Sequence, residues 1–113
     1  MDKKTILIVD DDRSVAEMTG ISIQPEYAPI ICASGNEAIP YIDSVDLILT
    51  DFNMPGMNGV ELTRIIKRGK PDLPVIIITG TPEDIPADHL ANQVIEKPFD
   101  IGQLREVIAD LLQ

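Results

Sequence analysis

The sequence predicts an α/β protein, a doubly wound parallel sheet of five strands with helices on both faces. Three observations carry that expectation. The apolar runs Ile6-Leu7-Ile8-Val9, Leu47-Ile48-Leu49 and Val75-Ile76-Ile77-Ile78 do not alternate with polar residues. Such strands are covered on both faces, as in parallel sheets flanked by helices. Segments of helical periodicity fall between the runs, and strand–helix alternation is the pattern of the α/β class. The chain has 113 residues, enough for one domain with a sizeable core and too few for a closed β/α barrel or two domains facing across a cleft.

Taken in order, residues 6–9 form the first strand, and Val15, Met18 and Ile21 follow at helical spacing. A second strand is expected over 28–33. Pro29 cannot donate to a ladder, which puts that strand at an edge. Ser34 and Glu37 have capping-box spacing and open a second helix, which Pro40 shortens or makes irregular. The third strand covers 47–49. The third helix carries Leu62, Ile65 and Ile66 and closes at Gly69, before Pro71. Beyond the fourth strand, residues 81–92 hold Pro82 and Pro86 with weak periodicity, so a fourth helix there is short or irregular. Val94-Ile95 makes a brief fifth strand. Ile101, Leu104, Val107, Ile108, Leu111 and Leu112 mark a strong last helix with Asp100 as its N-cap.

Composition removes several function classes. The chain has 9 basic and 19 acidic residues and a net charge of −10. Phosphate neutralisation needs clustered Lys and Arg, so neither nucleic acid nor an anionic membrane is expected as a partner. Cys32 is the single cysteine and His89 the single histidine, which excludes an internal disulfide and a zinc site built from several thiolates or imidazoles. No stretch has the length of a membrane span, and residues 1–5 lead into no signal-peptide core. The expected location is cytoplasmic, with residues 1–113 forming one domain and no second domain following the last helix.

The chemistry lies where polar residues meet strand ends. Asp10 and Asp11 follow the first strand, Asp51 the third, Thr79 ends the fourth, and Lys97 follows the fifth. In a parallel sheet these ends share one edge, where open α/β sheets bind ligands. Three carboxylates about 5 Å apart repel by roughly 3 kcal/mol per pair at an effective dielectric near 20. Lys97 offsets part of that repulsion. Oxygen-only ligands suit a hard dication, Mg²⁺ or alternatively Mn²⁺, and do not suit Zn²⁺. A carboxylate beside a metal, a lysine and a hydroxyl is a phosphoryl acceptor by its chemistry. Asp51 is the expected nucleophile. Lys97 and the metal would neutralise the oxygens of the transferring group, and the Thr79 hydroxyl would donate to one of them.

These residues resemble the receiver domain of bacterial two-component response regulators. The matching pieces are Ile6-Leu7-Ile8-Val9-Asp10-Asp11, Asp51-Phe52-Asn53-Met54-Pro55-Gly56-Met57-Asn58-Gly59, Ile78-Thr79-Gly80 and Glu96-Lys97-Pro98-Phe99. The resemblance implies a flavodoxin-like (βα)5 fold with strand order 2-1-3-4-5. It implies that Asp51 is phosphorylated and that Asp11 ligates Mg²⁺ directly, with Asp10 acting partly through water and the Asn53 backbone carbonyl as a further ligand. It implies contacts from Thr79 and Lys97 to the phosphoryl group, and a cis Lys97–Pro98 bond. Asn53 and Thr81 would flank the water that removes the phosphoryl group. Gly56 and Gly59 fit a tight loop needing permissive backbone angles. The donor would be a histidine kinase or a histidine phosphotransfer protein. The phosphorylated domain would change its affinity for a downstream protein. A homodimer is left open.

The chain also departs from the family pattern. Val94 stands where an aromatic residue often takes part in switching, which leaves the switch mechanism open. The fourth-helix region and the stretch from Asp11 to Asp51 are short, and Asn58 replaces a frequent Asp. Val94 and the short fourth helix favour an alternative reading, a pseudo-receiver that binds partners without phosphorylation, and the intact acceptor set disfavours it. A dedicated phosphatase is disfavoured, because position 53 holds Asn rather than a general-acid carboxylate. Asp12 reads as a helix N-cap, Met54 and Met57 as loop packing, Cys32 as a buried apolar residue and His89 as a surface residue. Gln103, Glu106 and Asp110 read as the solvent face of the last helix.

Overall fold

A computed structural model describes residues 3–113. The leader reading rests partly on Met1 and Asp2, which lie outside the described residues. In chain order the elements are β1 (Lys4–Val9), α1 (Arg13–Ile23), β2 (Tyr27–Cys32) and α2 (Gly35–Ala38), which runs into a 3-10 segment, Ile39–Ser44. There follow β3 (Leu47–Asp51), α3 (Gly59–Gly69), β4 (Val75–Thr79), a 3-10 turn (Pro82–Asp84), β5 (Gln93–Glu96) and α4 (Ile101–Leu111). All strand pairs are parallel and the order is β2-β1-β3-β4-β5. The expected order is therefore met, and the Pro29 strand is at an edge.

Each continuous apolar strand serves two cores, because successive side chains point to opposite faces. Ile6, Ile8, Leu47, Leu49, Ile76 and Ile78 pack on one side with Ala16 and Ile23 of α1 and Leu104 and Ile108 of α4. Leu7, Val9, Ile48 and Val75 pack on the other with Ala38, Leu62 and Ile66. Cys32 is buried in that second core, and Gln103, Glu106 and Asp110 face solvent.

Helix α1 forms where its spacing predicts, but the stripe that marks it is not the face it buries. Met18 and Ile21 are each 69% exposed and Val15 is 37% exposed, whereas Ala16, Thr19, Gly20 and Ile23 are buried. The cause is close approach to the sheet. A Cβ on Gly20 would lie 3.3 Å from the Pro29 Cβ, so Ala16 and Gly20 line the contact while Met18 and Ile21 turn outward and Ile23 joins the core at the end of the helix. At the far end of α1, Arg105 of α4 donates to the Ser22 carbonyl at 2.8 Å and the Gln24 carbonyl at 3.1 Å, and pairs with Glu26. It thereby satisfies carbonyls that a helix C-terminus leaves free.

The fourth helix is reduced to the turn at Pro82–Asp84, as the prolines foretell. Asn92 re-enters the sheet by donating its N–H to Val75 O (2.8 Å) and accepting the Val75 N–H on Oδ1 (3.0 Å). Lys67 Nζ of α3 donates to the same Oδ1 and to Leu73 O, both at 2.7 Å. Burial pushes this ammonium below its ordinary pKa. The Lys97–Pro98 bond is cis as expected, and so is Gln24–Pro25, for which the sequence gives no signal. Among the described residues, no helix is long and apolar enough to cross a membrane.

Candidate functional site

The carboxyl ends of β1, β3, β4 and β5 bring Asp10, Asp11, Asp51, Thr79 and Lys97 to one rim. Asp10, Asp11 and Asp51 each offer a carboxylate oxygen, all within 4.8 Å of one another. Lys97 Nζ donates to Asp51 Oδ1 at 2.8 Å across the β4 strand that separates them in the sheet. The Asp51 side chain is 11% exposed and that of Lys97 is 36% exposed. A cavity of about 20 Å³, room for one water-sized group, is lined by Asp10, Asp51, Lys97, Thr50, Val15 and Thr19 among others.

A backbone contact holds Asp10 in place. Asp10 Oδ1 accepts the Asp12 N–H at 2.9 Å, and Asp12 in turn caps α1 by accepting the Val15 N–H on its own Oδ1. Desolvation by burial is the largest influence on Asp10 and raises its pKa above the ordinary carboxylate value. The Asp12 N–H opposes that rise, and the Asp51 charge adds to it. Lys97 is positioned by its N–H, which donates to Thr79 O at 2.7 Å. Thr79 is fully buried. Its hydroxyl accepts the Thr81 N–H at 3.0 Å and lies 3.3 Å from the Thr81 hydroxyl. Asn53 Nδ2 donates to that same Thr81 oxygen at 3.4 Å, which links Asn53 through Thr81 to Thr79.

The loop 52–58 connects Asp51 to α3. Gly56 adopts φ +79°, the left-handed region that favours glycine. Gly59 needs room rather than a special angle, which corrects the expectation. It is the first residue of α3, and a Cβ there would come within 2.5 Å of the Asp51 carbonyl oxygen. Met54 is buried in the core, and Met57 packs against it, as loop packing requires. Asn58 does more than vary the loop: its side chain accepts the Glu61 N–H, and Glu61 accepts the Asn58 N–H, each at 2.9 Å. The Asn-x-x-Glu spacing of this capping box is legible in the sequence and was the missed signal. His89 is half-buried rather than a surface residue, its Nδ1 accepting the Ala91 N–H at 3.1 Å.

A set of hard oxygen donors beside a partly desolvated acid fits Mg²⁺ or Mn²⁺ and offers nothing to a soft metal. The family model for the response regulator receiver domain matches residues 6–109. The chain belongs to the response regulator receiver domain family. This receiver domain is 31% identical over 109 residues to the DNA-binding response regulator MtrA of Mycobacterium tuberculosis, covering 90% of this chain and 47% of that protein. It is 32% identical to the transcriptional regulatory protein GlrR of Escherichia coli, covering 96% of this chain and 26% of that one. The chain thus spans about half the length, or less, of these curated relatives. The solved response regulator TrrA of Thermotoga maritima superposes with a TM-score of 0.86 at 30% identity, over 96% of this chain and 99% of that one. TrrA was solved in complex with Mg²⁺-BeF. A CheY-like receiver of Methanospirillum hungatei gives 0.87 at 29% identity, over 98% and 94% of the two chains.

Proposed function

We propose that this receiver domain is a phosphoacceptor switch of a two-component phosphorelay, and that Asp51 takes the phosphoryl group. The observation that carries the reading is the juxtaposition of three carboxylate oxygens within 4.8 Å with the Lys97 ammonium on Asp51. The Asp51 carboxylate attacks phosphorus, the P–N bond of a donor phosphohistidine breaks, and the freed imidazole nitrogen takes up a proton. Lys97 lies where it can move from the Asp51 oxygen to an oxygen of the transferred group. The Thr79 hydroxyl, which accepts the Thr81 N–H, would donate to another. Asp10, Asp11, Asp51 and the Asn53 backbone carbonyl would hold Mg²⁺. That ion, when bound, neutralises charge that develops on the phosphoryl oxygens.

The donor is a histidine kinase or a histidine phosphotransfer protein. A groove of about 560 Å³ beside Lys97, lined by Val15, Met18, Ser22, Pro98, Phe99 and Ile101, supplies an apolar seat for the donor next to the acceptor. The downstream readout is a change in affinity for a protein partner, and the domain promotes its own phosphorylation without being a dedicated enzyme. A cytoplasmic setting accords with the unpaired Cys32.

Intact-mass measurement after incubation with acetyl phosphate or phosphoramidate and Mg²⁺ tests the reading. One phosphoryl adduct is expected, abolished by EDTA and by Asp51→Ala. A folded protein that gains no adduct would instead be a pseudo-receiver, a reading that Val94 at the usual aromatic position favours.

A further inference from the structure

The groove beside Lys97 contains a reactive atom that the phosphoacceptor chemistry does not use, the thioether sulfur of Met18. Met18 stands on the outward face of α1, 69% exposed, and lines the groove with Val15, Pro98, Phe99 and Ile101. Met54 and Met57 are shielded by comparison. Met54 is buried in the core. Met57 packs against that core, and its sulfur lies so near Gly35 that a Cβ there would come within 2.6 Å of it. Oxidation of a thioether follows its exposure, so an oxidant reaches Met18 first. Cys32 does not compete. It is buried, and desolvation pushes its thiol pKa up, which suppresses the reactive thiolate.

A sulfoxide at this position would change the groove and spare the core, because Met18 turns away from the sheet. The thioether is apolar, whereas the sulfoxide carries a strongly polar oxygen. The groove has nothing free to receive that oxygen. Its polar side chains are Thr19, Ser22 and Lys97. The Thr19 hydroxyl already donates to Val15 O at 2.9 Å and the Ser22 hydroxyl to Thr19 O at 2.7 Å. Lys97 Nζ is held on Asp51 Oδ1 at 2.8 Å. The sulfoxide oxygen would therefore keep water in the groove. An apolar side chain entering there would displace that water without replacing its hydrogen bonds, and affinity would fall.

We propose that Met18 is a reversible oxidation site, with a hydroperoxide as oxidant, and that its sulfoxide closes the groove to the apolar surface of a phosphodonor. The Met18 sulfur attacks one peroxide oxygen, the O–O bond breaks and an S–O bond forms. Sulfur gives up two electrons and the peroxide takes them. The hydroxyl proton passes to the departing hydroxide, which leaves as water. The consequence for the donor rests on the phosphoacceptor reading, whereas the oxidation and its effect on the groove do not.

The full chain is treated with hydrogen peroxide and mapped by peptide mass spectrometry. Met18 should gain one oxygen before Met54, Met57 or Cys32 is modified. Groove binding is read by NMR titration with a neutral helical peptide of leucine and glutamine, which should shift Val15, Phe99 and Ile101 in the untreated chain. Oxidation should weaken that binding by about tenfold. Methionine sulfoxide reductases with dithiothreitol should restore it. Met18→Gln should bind weakly before any treatment, and Met18→Leu, which keeps an apolar side chain without the sulfur, should lose the response to peroxide. Phosphoramidate has no apolar surface to seat, so its loading of Asp51 with Mg²⁺ should be the same before and after oxidation. No adduct in the untreated chain would refute the phosphoacceptor reading, while the Met18 result is read from the peptide. Equal oxidation of Met18, Met54 and Met57 would overturn the proposal. So would unchanged peptide affinity after oxidation, peptide shifts that avoid the groove, or the same peroxide effect in Met18→Leu.

Discussion

Asp10 shows how one residue can serve a site at the expense of the fold. Its carboxyl is raised from the ordinary value of 3.8 mainly because burial disfavours the charged form. The folded chain therefore holds this proton more tightly than the unfolded chain. The cost of ionising it is absent below the unfolded pKa, grows as pH rises through the folded value, and is complete above it. Asp10→Asn keeps an oxygen for the Asp12 N–H and removes the charge. In metal-free protein it should raise the melting temperature by a few degrees at pH 7 and leave it unchanged in acid. Thermal melts across that range decide the matter, and a lower melting temperature at pH 7 would refute the argument. The sequence shows Asp10 and Asp11 as neighbours after a strand. It does not show that Asp10 is buried and Asp11 exposed, because that depends on how α1 covers the end of β1.

At the scale of elements, local chemistry and tertiary packing share the decisions unequally. Caps are local. Ser34, Asp12, Asn58 and Asp100 each accept a backbone N–H of the helix they begin. The Asn58 box starts α3 directly after the loop that carries Asn53. Asn58→Ala should cost about 1 kcal/mol, read as a lower urea midpoint with an unchanged slope. Asn58→Asp should retain the native midpoint, and an alanine variant as stable as the native chain would remove the cap from the account. The face a helix buries is a different matter. In α1 the residues with the strongest apolar spacing turn outward, and the small ones meet the sheet. No periodicity within one segment reveals how near the partner surface will come. The short fourth connection was legible because proline acts on its own backbone, whereas the Lys67–Asn92–Val75 linkage that anchors it joins residues distant in sequence.

For the whole molecule, the sheet order makes one edge from separate strand ends, and charge accumulates there. A hard dication that binds the folded cluster and not the unfolded chain stabilises by mass action. At about 100 times its Kd, Mg²⁺ should add about 2.7 kcal/mol. Calorimetry should show the corresponding rise in melting temperature, reversed by EDTA and lost in a chain with Asp10, Asp11 and Asp51 all changed to Asn. An undiminished rise in that variant would place the ion elsewhere. The same view explains the contrast between surfaces. The groove beside α1 is apolar and borders Lys97, while the groove between residues 82–89 and β5 mixes apolar residues with His89 and Glu96.

From sequence alone came the α/β class, the strand order through family resemblance, the edge position of the Pro29 strand, and the five residues gathered at the rim. Hydrophobic periodicity, proline and motif spacing are short-range properties written along the chain. Only the folded structure decided which acid is buried, which face of α1 is free, and why Gly59 must lack a side chain. Those outcomes depend on distances between segments, and such distances are set when both faces of the sheet are packed at once.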